Sequence, residues 1–306
     1  MEQHNNHTYI EPSTFRKKEI VETNVRFHDE VPIFNILEFN IFGACNRSCD
    51  FCPVSDSTFY TNVYEGIEIE LYEKIMRELS SVSYDGTILF SAFSEPLLNK
   101  KIVDLLKLTK LIVKNCKLEI VSNGDVILKN KKILRNLFDS GLDVISISIY
   151  DGPVEYKAFK KIIKENNFSE DQVILRRRYE QGSDFGMTIS NRAGLIDSNQ
   201  YRSKDEEVIE INTLPLKKHC YYPFYQMVID YNGDVLMCAH DWRKEKIVGN
   251  AKEENIIEIW KSKAIKEARL MLKEKNRTFL PCINCDVAGD VMGEPNFNAW
   301  VDYYAK

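Results

Sequence analysis

The sequence predicts an α/β protein in which six strand–helix units form a partial, TIM-like (β/α)6 barrel, followed by a small C-terminal domain. Three observations support this fold class. Short apolar runs alternate with amphipathic helical segments over residues 35–200, the spacing that right-handed crossovers between parallel strands require. No G-x-G-x-x-G segment follows the first strand, which favours an open or partial barrel over a dinucleotide-binding sheet. The alternation ends near residue 200, and a hairpin pattern begins beyond it.

The predicted elements follow one another at regular spacing. The first strand, residues 36–42, is apolar enough to be buried, and the helix after it repeats apolar residues at spacings of three and four over 71–82. Asn99 can cap the second helix, and Gly141 stops the third. Further strands are predicted at 87–90, 117–121, 144–150, 172–178 and 187–190, and further helices at 99–112, 128–140 and 154–165.

Composition and charge narrow the class of protein. The 306 residues carry a net charge of −5, which argues against a broad nucleic-acid-binding surface. No apolar run approaches the roughly 18 residues of a membrane span, and the first residues lack the apolar core of a signal peptide. We therefore expect a cytoplasmic protein whose eight cysteines are thiols or metal ligands. The predicted domains are an N-terminal extension (1–34), the partial barrel (35–200), a charged linker (201–218) and the C-terminal domain (219–306).

Three of the cysteines stand together directly after the first predicted strand, as Cys45-x3-Cys49-x2-Cys52. In parallel α/β folds, functional groups collect on the loops that follow the strands. Three thiolates leave a tetrahedral zinc site incomplete, but they can bind three irons of a [4Fe–4S] cluster and leave the fourth iron open to another ligand. The alternative is a zinc site that takes its fourth ligand from elsewhere in the chain.

The segment CNRSCDFC resembles the cluster motif of the radical S-adenosylmethionine (SAM) superfamily, including the aromatic Phe51 before the last cysteine. The resemblance implies that SAM chelates the open iron through its amino and carboxylate groups. Ser94 and Glu95 are similar to the family's GGE loop, which holds the SAM amino group, although both glycines are replaced here. The resemblance also assigns cofactor contacts after the later strands to Ser122, Asn123 and Ser148. From the arginine run that ends the fifth strand, we expect Arg178 to point inward and meet a carboxylate of SAM or substrate, with a surface ion pair as the alternative.

The C-terminal cysteines Cys220, Cys238, Cys282 and Cys285 place four thiolates in one predicted domain. A glycine precedes Cys238 within the predicted hairpin, and this arrangement resembles the SPASM domain. No cysteine follows Cys285, so the resemblance implies a shortened, twitch-like version: a small iron–sulfur domain with one auxiliary [4Fe–4S] cluster. A four-cysteine zinc ribbon is the alternative that the same ligands allow.

The remaining candidates are less specific. Arg192, His240 and Asp241 are predicted to face the substrate, with a surface ion pair or support of the cluster ligands as the alternatives. Cys116, just before the third strand, is expected to be a buried, inert thiol at the opposite end of the barrel.

The resemblance implies that a 5′-deoxyadenosyl radical removes hydrogen from a C–H bond of the substrate. The chain is similar to the dehydrogenases of aminocyclitols and sugars that carry one auxiliary cluster. This predicts oxidation of a secondary alcohol of a sugar, nucleotide sugar or cyclitol, with the auxiliary cluster as electron acceptor. Epimerisation of a sugar carbon, peptide modification and a non-enzymatic zinc or electron-transfer module are the alternatives. The expected partner is a one-electron reductant such as flavodoxin or ferredoxin, and no nucleic-acid or membrane partner is expected.

Overall fold

The computed structural model of the chain describes residues 12–179, 189–201 and 213–306. Its helices are α1 (Pro12–Glu22), α2 (Ile69–Ser81), α3 (Ile102–Ile112), α4 (Asp125–Lys129), α5 (Lys132–Asp139), α6 (Pro153–Glu165), α7 (Tyr222–Tyr225), α8 (Ile256–Lys261), α9 (Lys263–Lys273) and α10 (Glu294–Ala305). Its strands are β1 (Arg26–His28), β2 (Val31–Ile33), β3 (Ile36–Asn40), β4 (Thr87–Phe90), β5 (Lys117–Ser122), β6 (Val144–Ile149), β7 (Val173–Arg177), β8 (Gln226–Asp230), β9 (Asp234–Leu236) and β10 (Ile247–Asn250).

One eight-stranded sheet organises the described residues, in the order β10-β9-β8-β3-β4-β5-β6-β7. The six strands from β8 to β7 are parallel, and β9 and β10 add to one edge in antiparallel fashion. Because side chains alternate between the two faces of a strand, β3 directs Phe39 onto α2, where it packs against Tyr72 at 5.4 Å between ring centroids. The neighbouring Ile36 and Glu38 face the opposite, concave side, where they line a cavity.

The predicted α/β class and open, parallel-rich sheet are confirmed, and five of the six predicted strands are β3 to β7. Residues 187 and 188 of the sixth predicted strand lie outside the described residues, and 189 and 190 belong to no strand. The single helix predicted at 128–140 is wrong. Asn130 leaves the helical region, with φ −140° and ψ 86°, and divides this segment into α4 and α5.

The described part of the predicted N-terminal extension forms helix α1 and the short hairpin β1–β2. Helix α1 contacts strand β7 at one edge of the sheet and the C-terminal helix α10. The buried Asn35 stabilises this segment, since its amide donates to the carbonyls of Ile20 (3.0 Å) and Asn24 (2.8 Å). The extension is therefore packed against the sheet, although its sequence has no clear apolar period.

The predicted C-terminal hairpin is confirmed as β8 and β9, and the two helices after it are α8 and α9. Strand β8 also pairs in parallel with β3, from Ile36 opposite Gln226 to Asn40 opposite Asp230. The domain boundaries predicted at 35–200 and 219–306 stay a prediction, and most of the predicted linker, 202–212, lies outside the described residues. None of the helices in the described ranges is long and apolar enough to cross a membrane.

Candidate active site

The concave face of the sheet opens into a cavity of about 410 Å³. Its wall combines side chains from the strands β3 to β7, the loop that carries the first three cysteines, helix α1, and the segment around His240. A cavity at the carboxyl ends of parallel strands is the usual position of an active site in α/β folds.

The first three cysteines lie together in the loop after β3, and all three line this cavity. The amide of Cys52 donates to the carbonyl of Cys49 at 2.9 Å, and the amide of Cys45 donates to the Asn62 side chain at 2.8 Å. Burial raises the pKa of the Cys45 thiol to about 11 and that of the Cys49 thiol to about 12. Each thiol is thus protonated at neutral pH until a metal centre stabilises the thiolate.

Arg47, in the longer gap between the first two cysteines, ties this loop to the sheet. Its guanidinium pairs with Asp125 after β5 (Nε to Oδ2, 2.9 Å) and with Asp151 after β6 (Nη1 to Oδ1, 3.0 Å), and it lies 3.4 Å from Glu155. A planar guanidinium can serve several carboxylates in this way because it carries five N–H donors. Arg47 was not among the residues predicted from the sequence, where its place inside the cysteine motif was the only signal.

The residues expected to contact SAM after β4 and β5 are bonded to one another. Glu95 is buried and accepts from the Leu97 amide (3.0 Å), the Ser122 hydroxyl (2.7 Å) and the Asn123 amide (2.8 Å). Burial raises the pKa of Glu95 to about 7. Ser94 donates its hydroxyl to Asn40 at 2.6 Å. Glu95 therefore joins two strand-end loops, besides lining the cavity where the SAM ammonium is expected.

Of the other predicted cofactor contacts, Ser122, Asn123, Ser148 and Arg178 line this cavity, whereas Phe51 does not. Asn123 donates its side-chain amide to Asn46 of the cysteine loop (2.9 Å) and lies 3.9 Å from the Cys45 sulfur. Phe51 packs on Tyr150, with ring centroids 5.5 Å apart. Ser148 and Arg178 line the cavity from β6 and from the residue after β7.

The four C-terminal cysteines, Cys220, Cys238, Cys282 and Cys285, line one small enclosed space. Burial raises the pKa of all four thiols, that of Cys285 to about 12. Gly289 has φ +78°, and a Cβ atom there would lie 2.6 Å from the Cys220 sulfur, so the loop approaches this sulfur as closely as the backbone allows.

The buried Arg277 holds the loops around these cysteines together. It donates to the carbonyls of Lys218 (3.0 Å) and Val287 (2.6 Å), and also to those of His219 and Ala288. Its charge also lowers the thiol pKa of Cys220, against the larger effect of burial. The four carbonyl acceptors and the nearby cysteine sulfurs compensate for the burial of the Arg277 charge. The sequence analysis did not single it out, because an arginine in a charged helix-to-loop segment carries no signal of burial.

The placement of the thiols determines which metal centres the chain can bind. In the described part of the chain, no three His, Cys, Asp or Glu side chains converge tightly enough to bind one metal ion. The thiols instead form two sets, one of three beside the large cavity and one of four around the small space. A set of three thiols beside a cavity is expected of a cluster that is accessible to substrate. A set of four enclosed thiols is expected of a cluster whose irons are all ligated by the protein.

Arg192 and His240, the predicted substrate contacts, line the cavity, and the Ser190 hydroxyl lies between them. The Ser190 hydroxyl is 3.1 Å from His240 Nδ1 and 3.4 Å from Arg192 Nη1. Burial lowers the pKa of His240 to about 3, so the imidazole is neutral. The Asn191 amide donates to Asp286, next to Cys285, at 2.8 Å. The loop that carries Arg192 is thus fixed to the site of the four C-terminal cysteines, which we call the auxiliary site.

Asp241 does not line the cavity, in contrast to the prediction that it faces the substrate. Its fully buried carboxylate accepts from the amides of Glu245 (2.9 Å) and Lys246 (2.8 Å). It therefore closes a turn between β9 and β10. Cys116 is buried beside β5, as expected, with its thiol pKa raised to about 11 by burial.

Helix α1 adds two cations that the sequence analysis did not consider. Arg16 pairs with Glu119 on β5, and the Lys17 ammonium donates to the Gln226 side chain on β8 at 2.6 Å. Gln226 in turn donates to Glu38 on β3. Burial raises the pKa of Glu38, against the opposing charge of Lys17.

Two parts of the chain match known families, and their positions coincide with the two cysteine sets. Residues 39–187 match the radical SAM superfamily, and residues 220–286 match SPASM, an iron–sulfur cluster-binding domain. The chain therefore contains a radical SAM domain and a SPASM domain, and it is an enzyme whose cofactors are SAM and iron–sulfur clusters.

Individual relatives agree with this assignment. The chain is 27% identical over 255 residues to the S-adenosyl-L-methionine-dependent 2-deoxy-scyllo-inosamine dehydrogenase of Niallia circulans. The aligned region covers 83% of this chain and 93% of that protein. Among solved structures, it resembles BtrN in complex with AdoMet and 2-DOIA, with a TM-score of 0.68 and 26% identity over 85% of this chain and 95% of that one. Selenomethionine BtrN in an open conformation has a TM-score of 0.60 at 22% identity, over 83% of this chain and 93% of that one, a likeness of fold alone.

Proposed function

We propose that this enzyme oxidises a secondary alcohol of a cyclitol, sugar or nucleotide sugar to a ketone, with an auxiliary [4Fe–4S] cluster as the electron acceptor. One observation carries the proposal. Tyr222 and His240 line both the cavity beside Cys45, Cys49 and Cys52 and the small space bounded by the four C-terminal cysteines. A substrate in the cavity would therefore be separated from the auxiliary site by single side chains, a short path for an electron.

The bound SAM cluster would supply a 5′-deoxyadenosyl radical, which removes a hydrogen atom from the carbinol carbon. Forming the ketone then requires loss of one proton and one electron from the substrate. The protein orients the substrate and excludes water, through the buried strand ends and the aromatic contact of Phe51 with Tyr150. We propose Arg192 and His240 as substrate contacts, and Ser94, Glu95, Ser122, Asn123, Ser148, Phe51 and Arg178 as contacts of SAM.

The relative from Niallia circulans supports this reaction class, because it is named as a dehydrogenase of 2-deoxy-scyllo-inosamine, an aminocyclitol. We also propose a cytoplasmic location, where thiols stay reduced, and flavodoxin or ferredoxin as the electron donor. Epimerisation is a second candidate, since Tyr150 and Tyr222 line the cavity and a phenol could return a hydrogen atom to the substrate radical.

The test is a single-turnover assay with the anaerobically reconstituted enzyme, SAM, dithionite and a panel of cyclitols and sugars. We expect about eight irons per chain and no zinc, and one ketone formed for each 5′-deoxyadenosine. In the matched variant Cys238→Ser, 5′-deoxyadenosine should still form while ketone formation falls.

Two results would contradict oxidation. Solvent deuterium in a product at the oxidation level of the substrate would identify an epimerase. About four irons together with one zinc per chain would remove the proposed electron acceptor.

A further inference from the structure

Lys17 extends from helix α1 into the wall of the active-site cavity. This helix precedes residue 39, where the radical SAM match begins, so neither matched region contains it. The ammonium donates to Gln226 Oε1 at 2.6 Å and lies 4.6 Å from the centroid of the Tyr222 ring, which also borders the auxiliary site. Lys17 therefore lines the cavity where the cavity borders the auxiliary site.

The charge of Lys17 lacks a close negative partner. Among the residues that the structure describes, no carboxylate oxygen lies within 4.0 Å of its Nζ. Lys17 is connected to Glu38 only through Gln226, and Glu119 pairs with Arg16 rather than with Lys17. A buried ammonium without a paired carboxylate is costly. The cavity thus offers a favourable position for a negatively charged group.

A second cation faces the same cavity. Arg192 has no carboxylate within 4.0 Å among the described residues, and its buried Nε has no hydrogen-bond partner there. Lys17 lies over the Tyr222 ring, whose centroid is 5.3 Å from that of His240, and Ser190 contacts both His240 and Arg192. The two charges therefore lie on the same part of the wall.

The cavity carboxylates, in contrast, are all engaged. Glu38 accepts from Gln226, Glu95 accepts from the loops after β4 and β5, and Glu119 accepts from Arg16. A substrate ammonium would have to compete with these donors, whereas an anionic oxygen would meet cations that have no close counter-charge.

We propose that Lys17, with Arg192 as the second cation, binds an anionic oxygen group of the substrate. The inference rests on the proposed function and narrows its substrate class to sugars or cyclitols that carry a phosphate or a carboxylate. Lys17 would discriminate among substrates from outside the regions that match the two families.

The test measures binding to the reconstituted holoenzyme with SAM by calorimetry. The probes are myo-inositol 1-phosphate, glucuronate, myo-inositol and 2-deoxy-scyllo-inosamine. We expect the phosphate, the carboxylate or both to bind more tightly than the neutral and amino probes, and the two anionic probes distinguish the two sources of charge. Lys17→Met should weaken the preferred anion by about 30-fold or more, as expected when one partner of a buried charge pair is lost, and Lys17→Arg should retain most of the affinity.

Lys18→Met is the matched control on the same helix. The Lys18 side chain is 49% exposed and pairs only loosely with Glu22, at 3.8 Å, so anion affinity should change by less than about twofold.

The proposal is overturned if the wild-type enzyme binds the neutral or amino probe as tightly as both anions. It is also overturned if Lys17→Met leaves anion affinity unchanged. A changed reduction potential of the auxiliary cluster in that variant would then show that Lys17 balances the cluster charge. Iron content and 5′-deoxyadenosine formation without substrate are measured in parallel. Their loss in the wild type would contradict the proposed function, whereas normal values without anion preference would contradict this inference alone.

Discussion

At the scale of single residues, the buried carboxylate of Glu95 has more roles than its sequence motif suggests. A motif residue expected to bind SAM is also the acceptor of three hydrogen bonds that join two loops. Its burial disfavours the charged form more than these donors favour it, which is why its pKa rises to about 7. The side chain that positions the loops is thus also the one proposed to contact SAM.

The raised pKa of Glu95 predicts a pH-dependent contribution to stability. Between the unfolded value of 4.5 and the folded value of about 7, the folded state holds the proton more tightly than the unfolded chain does. Its contribution is therefore fully present at low pH and is lost as the pH rises through 7. From pH 5.5 to 7.5 this loss amounts to about 2 kcal/mol of the free energy of unfolding.

Equilibrium urea unfolding of the metal-free protein at both pH values measures this contribution. Glu95→Gln removes the titrating group, so the pH dependence of the variant should be smaller than that of the wild type by this amount. Equal pH dependence in the two proteins would show that Glu95 has an ordinary pKa.

At the scale of elements, the turn between β5 and α4 brings Asn123 to the cysteine loop. Gly124 adopts φ +76° in this turn, and a Cβ atom would lie 2.5 Å from the Phe159 ring and 2.7 Å from Ile147. Gly152 before α6 also has a positive φ, +94°, but nothing lies within 4 Å of its Cβ position. Both glycines have a positive φ, but Gly124 is left-handed helical (ψ −6°), whereas Gly152 lies in a region open almost only to glycine (ψ −169°). The space around them also differs.

This difference predicts unequal costs for two alanine substitutions. Gly152→Ala should lower the free energy of unfolding by about 1–3 kcal/mol through backbone strain alone. Gly124→Ala should cost about 1–2 kcal/mol through left-handed backbone strain and about 1–3 kcal/mol more because the methyl group displaces core side chains. Urea unfolding of both variants measures the two costs, and a loss for Gly124→Ala no larger than the strain of about 1–2 kcal/mol would mean that Phe159 moves aside freely.

At the scale of the whole molecule, strand β8 joins the two family-matched regions in one sheet. A buried polar network crosses this boundary: Ser94 donates to Asn40, and Asn40 donates to Asp230 at 2.7 Å. Asp230 is fully buried and also pairs with Lys244. Removing one member of such a network leaves the others buried without partners. The radical SAM region and the auxiliary site should therefore unfold together.

Asp230→Ala tests this coupling. We expect a loss of about 3–5 kcal/mol, the usual cost of breaking a buried ion pair, in one cooperative transition. Hydrogen exchange of β9 and β10 reports on the C-terminal region, and hydrogen exchange of β5 and β6 reports on the radical SAM region. Faster exchange in β9 and β10 without a change in β5 and β6 would show two independent units.

The sequence by itself determined the α/β class, the order of β3 to β7, the two cysteine sets and the radical SAM assignment. These features are local, since apolar periodicity and cysteine spacing are visible within short segments. The tertiary structure alone decided that Asp241 closes a turn, that Arg47 and Arg277 fix the cysteine loops, and that Lys17 enters the cavity. Each of these depends on partners far along the chain, such as Gln226 for Lys17, and one sequence carries no signal of which distant residues meet.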